Sequence, residues 1–380
     1  MTAKTRSRPS RRQILSAGAA VAGAAALTAC GNQTESAGVA APAVVNNRRN
    51  LRLVTTWPPN FPGIGSMSVR MAQRVREATD GALDIRVYAA GEMVPALEAF
   101  DAVSNGAADA YHGAEYYWQG KSPGFNFFAA VPMGFTAGEL SAWIHHMGGQ
   151  ALWDELSARF GVKPILCGNT GVQTGGWFKR RIDTLDDLRG LRMRIPGLGG
   201  EVLARLGAAT VTLAGGDIFQ ALQSGTIDAA EWIGPWNDMA FGFHRVARYY
   251  YWPGFQEGGP GLALGFNLNV WNSLTPAQQS IIVSASLAEN DVSTSEYNAR
   301  NAESLRTLRQ DPDVEILQYP EAVLTAIGEA SGRVVRAAGQ TDDLTRRIYE
   351  SFMAARTALM EWAEIADDAF LAARRLNFTY

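Results

Sequence analysis

The sequence predicts an α/β fold of two domains with mostly parallel sheets, from three observations. Stretches that favour β structure alternate with amphipathic helical stretches through much of the chain. Roughly 330 residues follow a polar N-terminal stretch, enough to bury two cores. The 39 glycines and 10 tryptophans point to many tight turns and large buried aromatics.

Residues 51–57 favour β structure and alternate in part, giving the first strand. Pro58-Pro59 and Pro62-Gly63 break the chain. Met67, Met71 and Val75 lie four apart with Arg70, Arg74 and Glu77 opposite, an amphipathic helix with Gly81 at its C-cap. Leu83, Ile85 and Val87 alternate with Asp84, Arg86 and Tyr88 as a second strand. Pro95 opens a helix to Val103, and a short strand spans 108–112. Residues 151–160 read as a helix and 162–166 as a buried strand. Thr184 caps a short helix ending at Gly190, followed by a strand at 191–195. Thr275-Pro276-Ala277-Gln278 is a capping box with Pro in the first turn, opening a helix to about Leu308. A last helical region spans 342–375. No internal repeat is found. Ligands of such folds sit beyond the carboxyl ends of strands or between domains.

The N-terminus reads as an address. Residues 1–29 hold five basic residues and no acidic one, then an apolar run too short and alanine-rich for a membrane span. Ser10-Arg11-Arg12-Gln13-Ile14-Leu15 resembles a twin-arginine signal, with Ile14 where Phe is usual. Leu27-Thr28-Ala29-Cys30 resembles a lipobox with Cys30 lipidated; the alternative is an ordinary signal peptide cut near 41–43. Residues 30–50 read as a flexible tether. The chain is therefore expected to be exported to the periplasm and anchored to the membrane by lipid. Beyond residue 29, 29 Lys+Arg stand against 37 Asp+Glu, a net of −8 without basic runs, which argues against a nucleic-acid partner. With Cys30 lipidated, Cys167 alone remains, and it reads as a buried inert thiol.

Enzyme signatures are missing. There is no H-E-x-x-H, C-x-x-C or G-x-S-x-G. Gly197-x-Gly199 has Val202 where a dinucleotide fingerprint needs glycine, and Gly120-Lys121-Ser122 has Glu115 where a P-loop needs one. His145 and His146 point about 100° apart on a helix and do not share a metal easily. They, His112 and His244 read as surface or core residues.

Three segments carry chemistry. Residues 168–178 (Gly-Asn-Thr-Gly-Val-Gln-Thr-Gly-Gly-Trp-Phe) are polar and glycine-rich. Residues 190–197 place Arg194 at a strand end. Residues 225–235 place Glu231 and Trp232 at another, and 249–260 follow with Glu257. Arginine at a strand end suits a carboxylate, because its planar fork donates two parallel hydrogen bonds. The alternative is a structural ion pair, for example with Asp183 or Asp187.

These segments, with Gly215-Gly216-Asp217-Ile218 and Ala221-Leu222-x-x-Gly225-Thr226-Ile227-Asp228, resemble the extracytoplasmic receptor subunits of TRAP transporters, the DctP-like family. Within it they resemble the branch that binds 2-oxo acids and other small monocarboxylates together with a metal ion. The resemblance runs from about Leu51 to the C-terminal helix. It implies a periplasmic-binding-protein-like fold whose two domains, joined by hinge strands and a long helix, close over the ligand. The implied boundaries are 51–170 plus 258–297 for the first domain and 171–257 plus 298–340 for the second, with a helix at 341–380 exchanged in a homodimer. Arg194 matches the arginine that pairs with the substrate carboxylate. Gln173, Glu231, the Trp232 carbonyl and Glu257 match the cation ligands. Gln173, Asn169, Trp232 and Tyr117 are also expected against the substrate. The implied function is a TRAP receptor for a 2-oxo acid such as pyruvate or a 2-hydroxy acid such as lactate, delivering it to the TRAP membrane subunits.

Tyr111-His112-Gly113-Ala114-Glu115-Tyr116-Tyr117-Trp118 supplies an aromatic wall of the kind expected, with Glu115 as an additional acid, and Pro196 stands where a smaller residue is usual. Trp57, Tyr116, Tyr117, Trp177 and Trp232 are candidates for the acyl pocket. Converging Glu231, Glu257, Arg194 and a ligand carboxylate sum to −2, and one arginine cannot neutralise three acids; Na⁺ or Ca²⁺ would, since oxygen ligands suit a hard cation. Replacing Arg194 by Ala is expected to abolish carboxylate binding and leave the fold intact. The competing readings are a receptor for an ABC importer and a metal-dependent enzyme using Glu231 and Glu257 as acid and base.

Overall fold

The structure, a computed structural model, describes residues 48–379. The expected signal at 1–29, Cys30 and all but the last residues of the tether lie outside the described residues. The strands in chain order are β1 (Arg49–Thr55), β2 (Leu83–Tyr88), β3 (Ala110–Gly113), β4 (Val162–Asn169), β5 (Gly176–Phe178), β6 (Arg192–Arg194), β7 (Ala209–Val211), β8 (Ala229–Ala230), β9 (Tyr249–Trp252), β10 (Gly261–Asn267) and β11 (Glu315–Gln318).

They form two sheets, ordered β2-β1-β3-β10-β4 and β11-β9-β5-β8-β6-β7. The chain crosses between them at 170–175, at 253–260 and along the helix Pro276–Leu308. Each sheet has one reversed strand. β10 runs antiparallel to β3 and β4, and β5 antiparallel to β8 and β9, while the other five pairings are parallel. The reason is topological. β5 and β10 are the first strands after a crossing, and the crossings lie at the carboxyl ends of the other strands. A strand that starts there must run the opposite way. The result is that the carboxyl ends of β3, β4, β6, β8 and β9 all face the two crossing segments, where an open α/β sheet places its ligand.

Local signals explain the elements that hold this frame. The helix Ile64–Ala78 buries Met67, Met71 and Val75, as its period predicts. It ends in a Schellman-type turn, with Asp80 in the left-handed region at φ 48° and the Gly81 N–H donating to Arg76 O at 2.8 Å, one residue off the expected cap. Thr275 and Gln278 form the expected capping box at the start of the 33-residue helix Pro276–Leu308. That helix is about 50 Å long and lies against both lobes, on β4 and on the helix Pro235–Phe241. Thr184 and Asp187 form another box, and Thr136 and Glu139 a third. Several strands sit off the read bounds: the first begins at Arg49 where its register with β2 starts, the third is Ala110–Gly113, the sixth is Arg192–Arg194, and β4 continues through the glycine-rich Gly168 to Asn169 because Gly261 pairs there.

The C-terminal helical region is not continuous. Asp342 caps the helix Asp343–Ile365, which buries Leu344, Ile348 and Phe352 beside Phe127, Phe135 and Trp143. Ala366 then leaves the helical conformation (φ −111°, ψ −100°), and Asp367 and Asp368 open a second helix, Asp367–Ala373, where acids favour the new N-terminus. Among the described residues no helix is long and apolar enough to cross a membrane.

Candidate functional site

Arg194 ends β6 with its side chain fully buried. The parallel register Met193↔Ala229 and Arg194↔Ala230 carries β8 alongside, so the next residue, Glu231, emerges beside the guanidinium. Arg194 Nη1 donates to Glu231 Oε1 at 2.5 Å and to the Glu231 carbonyl at 3.0 Å, Nε donates to Leu213 O at 3.2 Å, and Nη2 reaches the Tyr117 hydroxyl at 3.4 Å. The Trp232 ring lies 5.0 Å from the guanidinium carbon, a cation–π contact. Asp183 and Asp187 are engaged elsewhere, with Arg181 and in the Thr184 capping box, so the ion pair anticipated for them forms with Glu231 instead.

The two crossing segments bring in the rest. The Gln173 N–H donates to Glu257 O at 3.1 Å and the Gly254 N–H to Gln173 O at 3.1 Å, so the segments run together as a ribbon. Thr174 N–H donates to Ile233 O at 3.1 Å and ties that ribbon to the Glu231 loop. Gly176, at φ +103°, permits this closeness: a Cβ there would lie 2.6 Å from Ala230 O and 2.8 Å from Glu231 Cα. Gln173 Nε2 donates to Thr170 Oγ1 at 3.1 Å.

Four buried side-chain oxygens in this region accept no hydrogen bond: Gln173 Oε1, Glu231 Oε2, Gln256 Oε1 and Glu257 Oε2. Leaving one such group unpaired costs about 1–3 kcal/mol, and more for a charge. Burial pushes both Glu231 and Glu257 up from the ordinary carboxylate range; Arg194 opposes this, and for Glu257 the neighbouring Glu231 adds to it. One guanidinium thus faces two carboxylates. Orphaned acceptors that are all oxygen, with a local charge of −1 when both acids are ionised, fit a hard cation such as Na⁺ or Ca²⁺, which would favour that ionised form. Among the described residues no group of three or more His, Cys, Asp and Glu could hold a metal; the orphaned oxygens here are those of two carboxylates and two amides.

Beside Gln173 lies a small cavity with about 10 Å³ of free volume, about one water's worth. Trp57, Tyr116, Tyr117 and Trp232 line it, with Ile64 and Leu262 on the apolar side. A larger open groove of about 850 Å³ beside the helix Ile64–Ala78 carries Arg76, Glu77 and Asp84 and no orphaned buried oxygen.

Residues 53–341 match the family model for bacterial extracellular solute-binding proteins, family 7, DctP. A Nostoc protein described as a monocarboxylate 2-oxoacid-binding periplasmic protein is 38% identical over 356 residues, 93% of this chain and 96% of that one. The chain belongs to the DctP family of solute-binding receptors. A solved TRAP periplasmic solute-binding protein from Pseudoalteromonas atlantica, with bound sodium and pyruvate, is 38% identical with a TM-score of 0.83 and covers 87% of this chain and 100% of its own. One from Bordetella bronchiseptica, a mixed-occupancy dimer with calcium and picolinate, is 35% identical with a TM-score of 0.84, covering 87% and 99%.

In this DctP-family chain the structure brings together Arg194, Gln173, Glu231, Trp232, Glu257 and Tyr117. It does not bring in two others. The Asn169 amide holds backbone, donating to Gly259 O at 3.1 Å and accepting from the Gly171 N–H at 2.8 Å. Trp177 stacks on Tyr250 at 4.3 Å, away from the cavity, because its place on β5 turns it into the second lobe's core. Glu115 finds its partners in Tyr111, whose hydroxyl donates at 2.6 Å, and Trp153, whose Nε1 donates at 2.5 Å. His112 is a core residue that accepts from Trp57 Nε1 at 2.8 Å and so fixes a cavity wall. Burial pushes the Cys167 thiol up to about 12, the inert thiol expected. Reading the sequence missed Thr170 and Gln256, whose signal is their place in the segments that carry Gln173 and Glu257, and Ile64 and Leu262, which carry no signal of their own.

Proposed function

We propose that this chain is the extracytoplasmic receptor of a TRAP transporter and that it binds a small 2-oxo monocarboxylate of the pyruvate class together with Na⁺ or Ca²⁺. The observation that carries this reading is the buried Arg194 beside orphaned oxygens of Glu231, Glu257 and Gln173. Arg194 pairs with the acid's carboxylate, and Tyr117 stands beside it. Gln173, Glu231, the Trp232 carbonyl and Glu257 hold the cation, whose charge keeps both acids ionised and lets a further carboxylate enter beside them. Trp57 and Tyr116 exclude water and limit the acyl chain. A relative 38% identical holds sodium with pyruvate, and another, from Colwellia psychrerythraea and 37% identical, holds calcium with pyruvate.

The lobes divide as the two sheets do, near 51–170 plus 258–297 and 171–257 plus 298–340, and the crossings at 170–175 and 253–260 act as hinges. Export by the twin-arginine route with lipid on Cys30 would keep the receptor beside its membrane subunits. A homodimer is supported by the exposed Met360, Trp362, Ile365 and Phe370 on the C-terminal helices, an apolar run that water alone covers poorly. The test is a thermal-shift and calorimetric screen of pyruvate, longer 2-oxo acids and lactate, each with and without Na⁺ and Ca²⁺. Stabilisation that needs both acid and cation supports the reading; stabilisation by neither, in any pairing, removes it. Sedimentation of Trp362→Glu, expected as a monomer, tests the dimer.

A further inference from the structure

Glu231 and Trp232 lie on an irregular stretch between β8 and the helix Pro235–Phe241. One buried side chain organises it. Asp238 Oδ1 accepts from the Ile233 N–H at 3.2 Å and the Gly234 N–H at 3.1 Å. Asp238 Oδ2 accepts from Trp177 Nε1 at 3.0 Å and from the Tyr250 hydroxyl at 3.1 Å. The Tyr250 hydroxyl in turn accepts from Thr174 Oγ1 at 2.8 Å, the residue after Gln173. One carboxylate with four donors therefore links the Glu231–Trp232 stretch to the Gln173 segment by way of β9. Asp238 does not line the cavity.

A buried acid is a poor way merely to fill a core. Apolar residues of the same volume pack there as well or better, because the charge must be desolvated. What a fully satisfied polar network adds is a fixed orientation of the groups it joins. Here those groups are the peptide unit that contains the Trp232 carbonyl and the Ile233 N–H, the peptide after it, and the segment bearing Gln173. A hard cation needs its oxygens at set separations, and the partners behind the ligands supply that order.

We propose that Asp238 is a positioning residue for the cation site, acting through the Ile233–Gly234 peptides on one side and through Tyr250 and Thr174 on the other. This rests on the reading that Gln173, Glu231 and the Trp232 carbonyl hold a cation. Trp177, placed by the sequence near the acyl pocket, gains a role in the same network.

The test is calorimetric titration of pyruvate into the exported chain across a series of Ca²⁺ concentrations after chelation. It compares the natural protein with Tyr250→Phe, Thr174→Val and Asp238→Asn. Tyr250→Phe removes one hydroxyl and keeps the ring stacked on Trp177, so it carries the test even where Asp238→Asn does not fold. The expected result is that Ca²⁺ at half-saturation rises about tenfold in Tyr250→Phe, and that saturating Ca²⁺ returns the pyruvate affinity to that of the natural protein. An unchanged Ca²⁺ requirement, with or without a lower Tm, overturns the proposal, as does a loss of pyruvate affinity that Ca²⁺ does not restore. If the natural protein itself binds pyruvate without regard to Ca²⁺ or Na⁺, the underlying cation reading has failed, an outcome distinct from the first two.

Discussion

Arg194 engages only half of Glu231: Nη1 donates to Oε1 at 2.5 Å, while Oε2 is buried without a partner. The pair is thus satisfied at one carboxylate oxygen and unsatisfied at the other.

Arg194→Ala is expected to lower carboxylate affinity at least 100-fold, read by calorimetry, and also to destabilise the protein. The second expectation corrects the sequence reading, which left the fold intact. Removing one partner of a buried pair leaves the other charge uncompensated, at about 3–5 kcal/mol, so Tm should fall by several degrees. Arg194→Ala with Glu231→Gln should recover most of the stability and none of the binding. Affinity close to the natural value in Arg194→Ala would remove Arg194 from the site.

Glu257→Gln should reverse the order of stabilities. Burial and the neighbouring Glu231 raise Glu257 above the ordinary range, so the folded state without cation favours its protonated form. The stability of that form is present below the unfolded carboxyl pKa and declines as pH rises through the raised one. In chelator at pH 8 the glutamine variant should therefore melt higher than the natural protein, and with cation and pyruvate it should melt lower. The same order in both buffers would contradict a cation role for Glu257.

Glu115 gives a pH signature away from the site. Burial pushes its carboxyl up to about 8, against donation from Tyr111 and Trp153. With the folded value above the ordinary 4.5, its contribution is full below about pH 4.5 and is lost as pH rises toward about 8. Glu115→Gln resembles the protonated acid: its oxygen accepts from Trp153 and its amide donates to Tyr111. The variant should flatten the fall of stability between pH 5 and 8, measured by denaturant melts. A steeper fall would mean that Glu115 is ionised in the fold.

Closure of the lobes has its own contacts. Phe61 lies 4.3 Å from Phe241 and 6.4 Å from Trp232, and Asn237 donates to Pro62 O at 3.1 Å while accepting from the Tyr297 hydroxyl at 2.5 Å. Phe61→Ala and Asn237→Ala are expected to speed pyruvate release tenfold or more in stopped-flow displacement. The cation requirement should not change, because neither residue touches the orphaned oxygens. A shift in that requirement with unchanged release would place these residues in the site.

Much of this protein was legible in its sequence. Amphipathic spacing at Met67, Met71 and Val75, alternation at 83–88 and the capping boxes at Thr184 and Thr275 set local structure, because they act within a few residues. The resemblance carried by 168–178, 190–197, 225–235 and 249–260 named the residues that now stand together. What only the tertiary structure decided was pairing over distance. Which acid meets Arg194 depends on β6 and β8 lying in parallel register, and His112 holding Trp57 on β1 lying beside β3. That Asn169 and Trp177 serve the frame and that Asp238 joins two ligand-bearing segments depend on β5 and β10 running backwards through their sheets. That reversal follows from where the chain crosses between lobes, and nothing in the period or composition of a three-residue strand records it.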